Sequence, residues 1–145
     1  MYRELIHRWV EHHNWAKLQP PCPEEELEQA QQRVGYPFPE ELKALLRETN
    51  GDGWLLLSAG QMAEHVQSNR SIWPEYLEPE EFLEKVDRHI FFATNGCGDY
   101  YCYRVLPDGS VDTTAIYLWE HETFEVKPVA RDIPDLIAKY YSDEV

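Results

Sequence analysis

Long apolar runs are missing from this chain. Trp54 to Leu57 and even the longer Ala115 to Trp119 are far shorter than the roughly 20 residues a membrane-spanning helix needs. Cysteine is scarce: Cys22, Cys97 and Cys102 make an odd count, which excludes a full disulfide framework. Cys97 and Cys102 could face each other across a hairpin, but three reduced thiols of a cytosolic protein are the expectation. The amino terminus, Met1-Tyr2-Arg3-Glu4-Leu5, carries no apolar run ending in a small-residue cleavage site, so no signal peptide is expected. Basic residues are few, with 13 Lys and Arg against 27 Asp and Glu, giving a net charge of −14. A surface of that sign repels nucleic acid and anionic membrane, and it attracts a basic protein. Glycine-rich phosphate cradles are lacking too. Gly51-Asp52-Gly53 and Gly96-Cys97-Gly98 each have an Asp alongside that would repel a phosphate.

What is present suits one domain. The chain has 145 residues, 43% of them hydrophobic and 13% aromatic, enough to bury a core without metal or disulfide staples. The acidity is spread along it: residues 1–20 carry +1, 21–50 carry −4, 51–90 carry −5 and 91–145 carry −6. It is therefore no detachable tail. Ile90 to Leu106 is the organising stretch. Two aromatic and β-branched runs flank Asn95-Gly96-Cys97-Gly98-Asp99, the pattern of a tight hairpin placed centrally in a sheet. Before it, spacing predicts a helix over 2–18 (Leu5, Trp9, His12 or His13, Ala16), broken by Pro20-Pro21. Pro23 opens a second helix with Leu27, Ala30 and Val34 on its inner face, and Gly35 stops it. Pro39 opens a third, with Leu42, Leu45 and Leu46 inward and Asn50-Gly51 as a left-handed cap. Trp54-Leu55-Leu56-Leu57 reads as a buried strand, 60–67 as a short helix, 68–77 as irregular and 78–86 as another helical turn or two. Pro107-Asp108-Gly109-Ser110 is a turn, Ala115–Trp119 and Thr123–Val129 are strands, and Asp132 caps a closing helix with Ile133, Leu136, Ile137 and Tyr140 inward.

Residues that could carry chemistry form few constellations. Cys97-x4-Cys102 lacks the two-residue spacing of a zinc knuckle, and His121-Glu122-Thr123-Phe124-Glu125 lacks the second His of a zincin helix. His12 and His13 are adjacent on a helix and point apart. No metal and no cofactor are expected. No Gly-x-Ser-x-Gly elbow exists, and Ser110 belongs to a turn. The one nucleophile arrangement that can be drawn is Cys97 with His121, oriented by Asp99, but acidic neighbours disfavour a thiolate. Trp54, Trp119 and Tyr100-Tyr101-Cys102-Tyr103 alternate between sheet faces, so about half of these aromatics are open to a partner.

Taken in order, these pieces resemble a known family. Leu27 to Gly53 holds an acidic helix ending near Gly35, the Tyr36-Pro37-Phe38-Pro39 step, a second helix and the Asn50-Gly51 stop. Asn95-Gly96-Cys97-Gly98-Asp99-Tyr100-Tyr101 and Trp119-Glu120-His121-Glu122 follow. The set is similar to the SUKH superfamily of Smi–Knr type over about residues 23–140, with residues 1–20 as an additional N-terminal helix carrying Trp9 and Trp15. Cys97 stands where relatives often have Gly. The resemblance implies an α+β fold, N-terminal helices on a mostly antiparallel sheet closed by a C-terminal helix. It implies no enzyme but a cytoplasmic immunity protein that binds a cognate toxin domain, often a nuclease, or else a regulatory scaffold module. Joined to the charge, it points to a basic partner met by Asp52, Asp99, Tyr101, Trp119, Glu120 and Glu122.

Overall fold

The computed structural model describes residues 1–11 and 16–142. The expectations for His12, His13 and Trp15 lie outside the described residues. Among the described residues, six α-helices and four strands follow one another as α1 (Tyr2–Val10), α2 (Glu24–Val34), α3 (Glu40–Glu48), α4 (Ala59–Ile72), α5 (Pro79–Phe82), β1 (His89–Thr94), β2 (Tyr100–Val105), β3 (Val111–Trp119), β4 (Val126–Ala130) and α6 (Ile133–Tyr141). The sheet is an antiparallel meander in the order β1-β2-β3-β4. The fold is α+β, with α6 packed against the sheet.

Both faces of this sheet are covered, because alternate side chains on β1 and β2 are apolar on both sides. Ile90, Phe92, Tyr101, Tyr103, Val105 and Ile116 face the main core, which Ile6, Leu27, Leu42, Leu46, Met62 and Ile137 fill from the helices. Phe91, Cys102 and Trp119 face the other way, toward Val86, Trp73, Leu77 and Phe82. Those last four belong to residues 73–87, an arm made of a 3-10 turn (Trp73–Glu75), α5 and a π turn (Leu83–Asp87). Polar ties lock the layers. Arg70 donates to Asp87 Oδ1 at 2.9 Å and to the carbonyls of Arg33 and Val34, so it closes the end of α2 and anchors the arm. Tyr103 Oη donates to Glu41 at 2.6 Å, joining β2 to α3.

Local chemistry explains the boundaries. Gly35 ends α2 at φ +90°, a conformation a side chain resists. Ser58 and Gln61 form a capping box that starts α4, and Asp132 accepts from Asp135 N–H at 2.9 Å to start α6.

Several expectations need correcting. The first helix ends at Val10, and residues 16–20 are not helical. Trp54–Leu57 is no strand beyond a single bridge from Leu56 to Ala93, and Trp54 is exposed. Asp52 takes the amides of Trp54 and Leu56 into a turn, so they are spent before a ladder can form. That turn still flanks β1 through Leu57 N–H to Phe92 and Thr94 N–H to Leu55, which makes β1 a partly covered edge and not a central strand. Helix α4 runs on to Ile72 through half of the stretch read as irregular. The third helix ends on an extended Thr49, and Gly51 lies beyond it with positive φ, where a Cβ would sit 2.8 Å from the Leu56 carbonyl. β3 begins at Val111 and β4 at Val126, so Thr123–Glu125 is loop. Tyr141, not Tyr140, is the buried tyrosine of α6.

Candidate functional site

The hairpin tip and the β3–β4 connection meet at one end of the sheet. Gly96 and Gly98 both take positive φ, and a Cβ on Gly98 would lie 3.0 Å from the His121 ring. Only glycine lets the tip close over that histidine. Thr94 Oγ1 donates to the Asp99 carbonyl and Asn95 Oδ1 accepts from Cys97 N–H, which makes the tip rigid. Asp99 Oδ1 then takes the His121 amide at 3.0 Å and His121 Nδ1 at 2.7 Å. Burial pushes the Asp99 carboxyl up, but the bonds from His121 and Asn95 outweigh it and hold the group below its ordinary range. The hydrogen bond to Asp99 raises His121 in return. Glu122 approaches His121 Nε2 at 3.9 Å, and Glu120 accepts from Thr123 Oγ1 and lies 3.9 Å from Lys127.

Asp99, Glu120 and Glu122 are thus brought together around His121 at the surface, with Glu122 the most open at 83% of its side chain. The other three predicted contacts are not there. Asp52 is fully buried, its Oδ2 taking Tyr141 Oη at 2.7 Å. Tyr101 and Trp119 are each 2% exposed. Tyr101 is in the main core, and Trp119 lies under the arm with Nε1 donating to the Lys85 carbonyl at 2.8 Å. For Trp119 the reason is the covered second face, since alternation exposes half a strand's side chains only when one face meets water. Tyr101 is on the main-core face, and Asp52 is drawn inward by its turn and by Tyr141.

Two aromatics are well exposed among the described residues, Trp54 and, in the arm, Tyr76. Tyr76 is 72% exposed, Ile72 49%, and Trp73 is half-buried. Phe124, held at φ +60°, stacks edge-on against Trp73 with ring centres 5.1 Å apart, so the β3–β4 loop and the arm form one surface. Glu75, Glu78 and Glu80 are exposed along the same arm. The signal in the sequence was Ile72-Trp73-Pro74-Glu75-Tyr76-Leu77, large apolar side chains among carboxylates with no period to bury them.

For covalent chemistry, the Asp99–His121 pair is formed and Cys97 is exposed. No Cys97–His121 hydrogen bond exists among the described residues; the Cys97 amide is held by Asn95. Burial pushes the Cys22 thiol up to about 11 and raises Cys102 further. All three cysteines are free. Among the described residues, no three His, Cys, Asp or Glu side chains gather as a metal site.

The model of the SMI1 / KNR4 family (SUKH-1) matches residues 21–139, most of the chain. The chain belongs to that family. No curated protein matches it individually. The SUKH-1 match runs from just before α2 into α6 and so takes in the hairpin tip, the arm and the acidic cluster. α1 lies outside it, yet Tyr2 and Ile6 are buried in the core shared with α3 and α6. No described helix of this SUKH-1 chain is long and apolar enough to cross a membrane.

Proposed function

We propose that this SUKH-1 chain is a cytoplasmic immunity-type protein that binds a basic, nuclease-like toxin domain and occludes its cleft. The observation that carries the reading is one continuous face: Asp99, Glu120 and Glu122 join Trp73 and Tyr76 through the Phe124–Trp73 contact. Aromatic anchors ringed by carboxylates suit a partner whose own cleft is positive in order to hold phosphates. The net charge of −14 adds steering toward such a partner. The protein's part is to bind, without bond-breaking of its own.

The test is capture of the partner from the source cell, followed by rescue of cells expressing it. Tyr76→Ala should weaken the complex by about 2 kcal/mol, as truncation of a good anchor does. Reversing Glu120 and Glu122 to Lys should slow association and reduce its dependence on salt. A captured partner that harms no cell would place the chain among regulatory scaffolds instead. Unchanged affinity in both variants would remove this face from the interface.

A further inference from the structure

The described surface holds one feature of the opposite sign. A groove of about 550 Å³ opens between the end of the arm and strands β2 and β4, with Lys85, Arg88, His89, Arg104, Phe124 and Val126 among its walls. Three of the chain's 13 basic side chains converge there, against the single carboxylate of Glu84, on a molecule carrying −14 overall. The two guanidiniums differ in how far they are compensated from within, Arg104 facing Asp112 across the strand pair. Arg88 is half-buried and has no carboxylate partner among the described residues. Its neighbour Asp87 is engaged by Arg70. Arg104 lies over the Tyr117 ring at 5.5 Å and is partly offset by Asp112, which also accepts from Thr114 and from Tyr117 Oη at 2.9 Å, so Arg104 remains exposed and able to meet an incoming anion. Lys85 reaches Glu81 only at 3.3 Å, at the surface. His89 is buried at the groove's inner side with Nδ1 donating to the Val86 carbonyl at 2.9 Å.

We propose that this groove binds a small organic phosphate, its anionic head between Arg88 and Arg104 and its ring or apolar body against Phe124 and Val126. Two guanidiniums and an ammonium suit a doubly charged, three-oxygen head better than a single carboxylate. The apolar wall offers nothing to a bare ion but gains from a ring. The groove is lined by residues of the arm, of β2 and β4 and of the loop between β3 and β4, so an occupant would brace the arm on the sheet. The proposal stands independently of the toxin reading.

Phenyl phosphate is the probe, titrated into the full chain and followed by amide NMR. Saturable shifts should be confined to the segments around Lys85–His89, Arg104 and Phe124–Val126. Arg104→Gln, an exposed change that spares the fold, should weaken binding about tenfold, the loss of one charge-assisted contact. Arg88→Gln should do the same, and Lys43→Gln on α3 should change nothing. Phenol should not bind, and inorganic phosphate should bind more weakly than phenyl phosphate. The idea fails if the shifts do not saturate, if Arg104→Gln leaves them unchanged, or if phenol or citrate competes as well as the phosphate.

Discussion

Asp52 and Glu122 are both carboxylates beside a turn, and the structure puts them to opposite uses. Glu122 is at the surface, whereas Asp52 is buried and satisfies two backbone amides and the Tyr141 hydroxyl. Burial raises the Asp52 carboxyl above the ordinary range even against those bonds. Its proton therefore favours the fold, a contribution present at low pH and lost as pH rises through the raised value. The consequence separates two substitutions. Asp52→Ala removes the shared acceptor of two backbone amides and the Tyr141 hydroxyl and should cost about 3 kcal/mol. Asp52→Asn keeps an oxygen for the amides and removes the buried charge, so it should cost about 1 kcal/mol or less. Urea unfolding of both at neutral pH decides it. Equal losses would mean that the charge itself holds the turn.

At the scale of elements, the arm is the part whose position matters most, since it brings Trp73 and Tyr76 beside the acidic cluster. Trp119 helps fasten it, clustered with Val86, Trp73, Leu77 and Phe82 of the arm and donating to the Lys85 carbonyl. Trp119→Phe should keep the fold but lose about 2 kcal/mol, from the lost hydrogen bond and the smaller ring. Hydrogen exchange should quicken in residues 73–88 and stay slow in α2 and α3. Uniform quickening would show that arm and core open together. Elements with strong punctuation are legible in the sequence: Pro23 and Gly35 around α2, Pro39 before α3, Asn95-Gly96 in the hairpin and Asp132 before α6. α4 was cut short because its inner face becomes polar. His65 stacks on Tyr100 at 3.9 Å and Asn69 is buried, positions that apolar periodicity does not register. The start of β3 was missed because Asp112, Thr113 and Thr114 form an open, polar strand end. The burial of Trp119 has a related reason, because nothing in β1–β3 announces that residues 73–87 fold back over their second face.

The molecule as a whole carries two titrations that oppose each other in mild acid. Burial holds His65 and His89 neutral, their pKa lowered from 6.5 to about 4. A lowered histidine contributes stability that is present above 6.5 and is lost as pH falls toward 4, because the unfolded chain takes up the proton first. For His89, 3% exposed, the full shift corresponds to about 3 kcal/mol. Acid also reduces the self-repulsion of a chain at −14, and the raised His121 and Asp52 act in that same stabilising direction. Of these, the surface charge and His121 contribute little. The surface charge is spread out and screened beyond roughly 8 Å in physiological salt, and His121 is exposed. The lowered aspartates Asp99, Asp108, Asp112 and Asp135 start from 3.8 and enter mainly below this window, while the lowered Glu24, Glu40 and Glu48 start from 4.5 and add to the fall at its acid end. Stability should therefore fall steadily between pH 6.5 and 4, by several kcal/mol. His89→Asn retains an amide donor for the Val86 carbonyl, so it should flatten the slope by roughly half even if packing against Phe91 is lost at neutral pH. Urea midpoints across that range measure the slope directly. A wild-type stability that is flat or rising toward pH 4 would mean that charge relief, not histidine burial, governs the fold in acid.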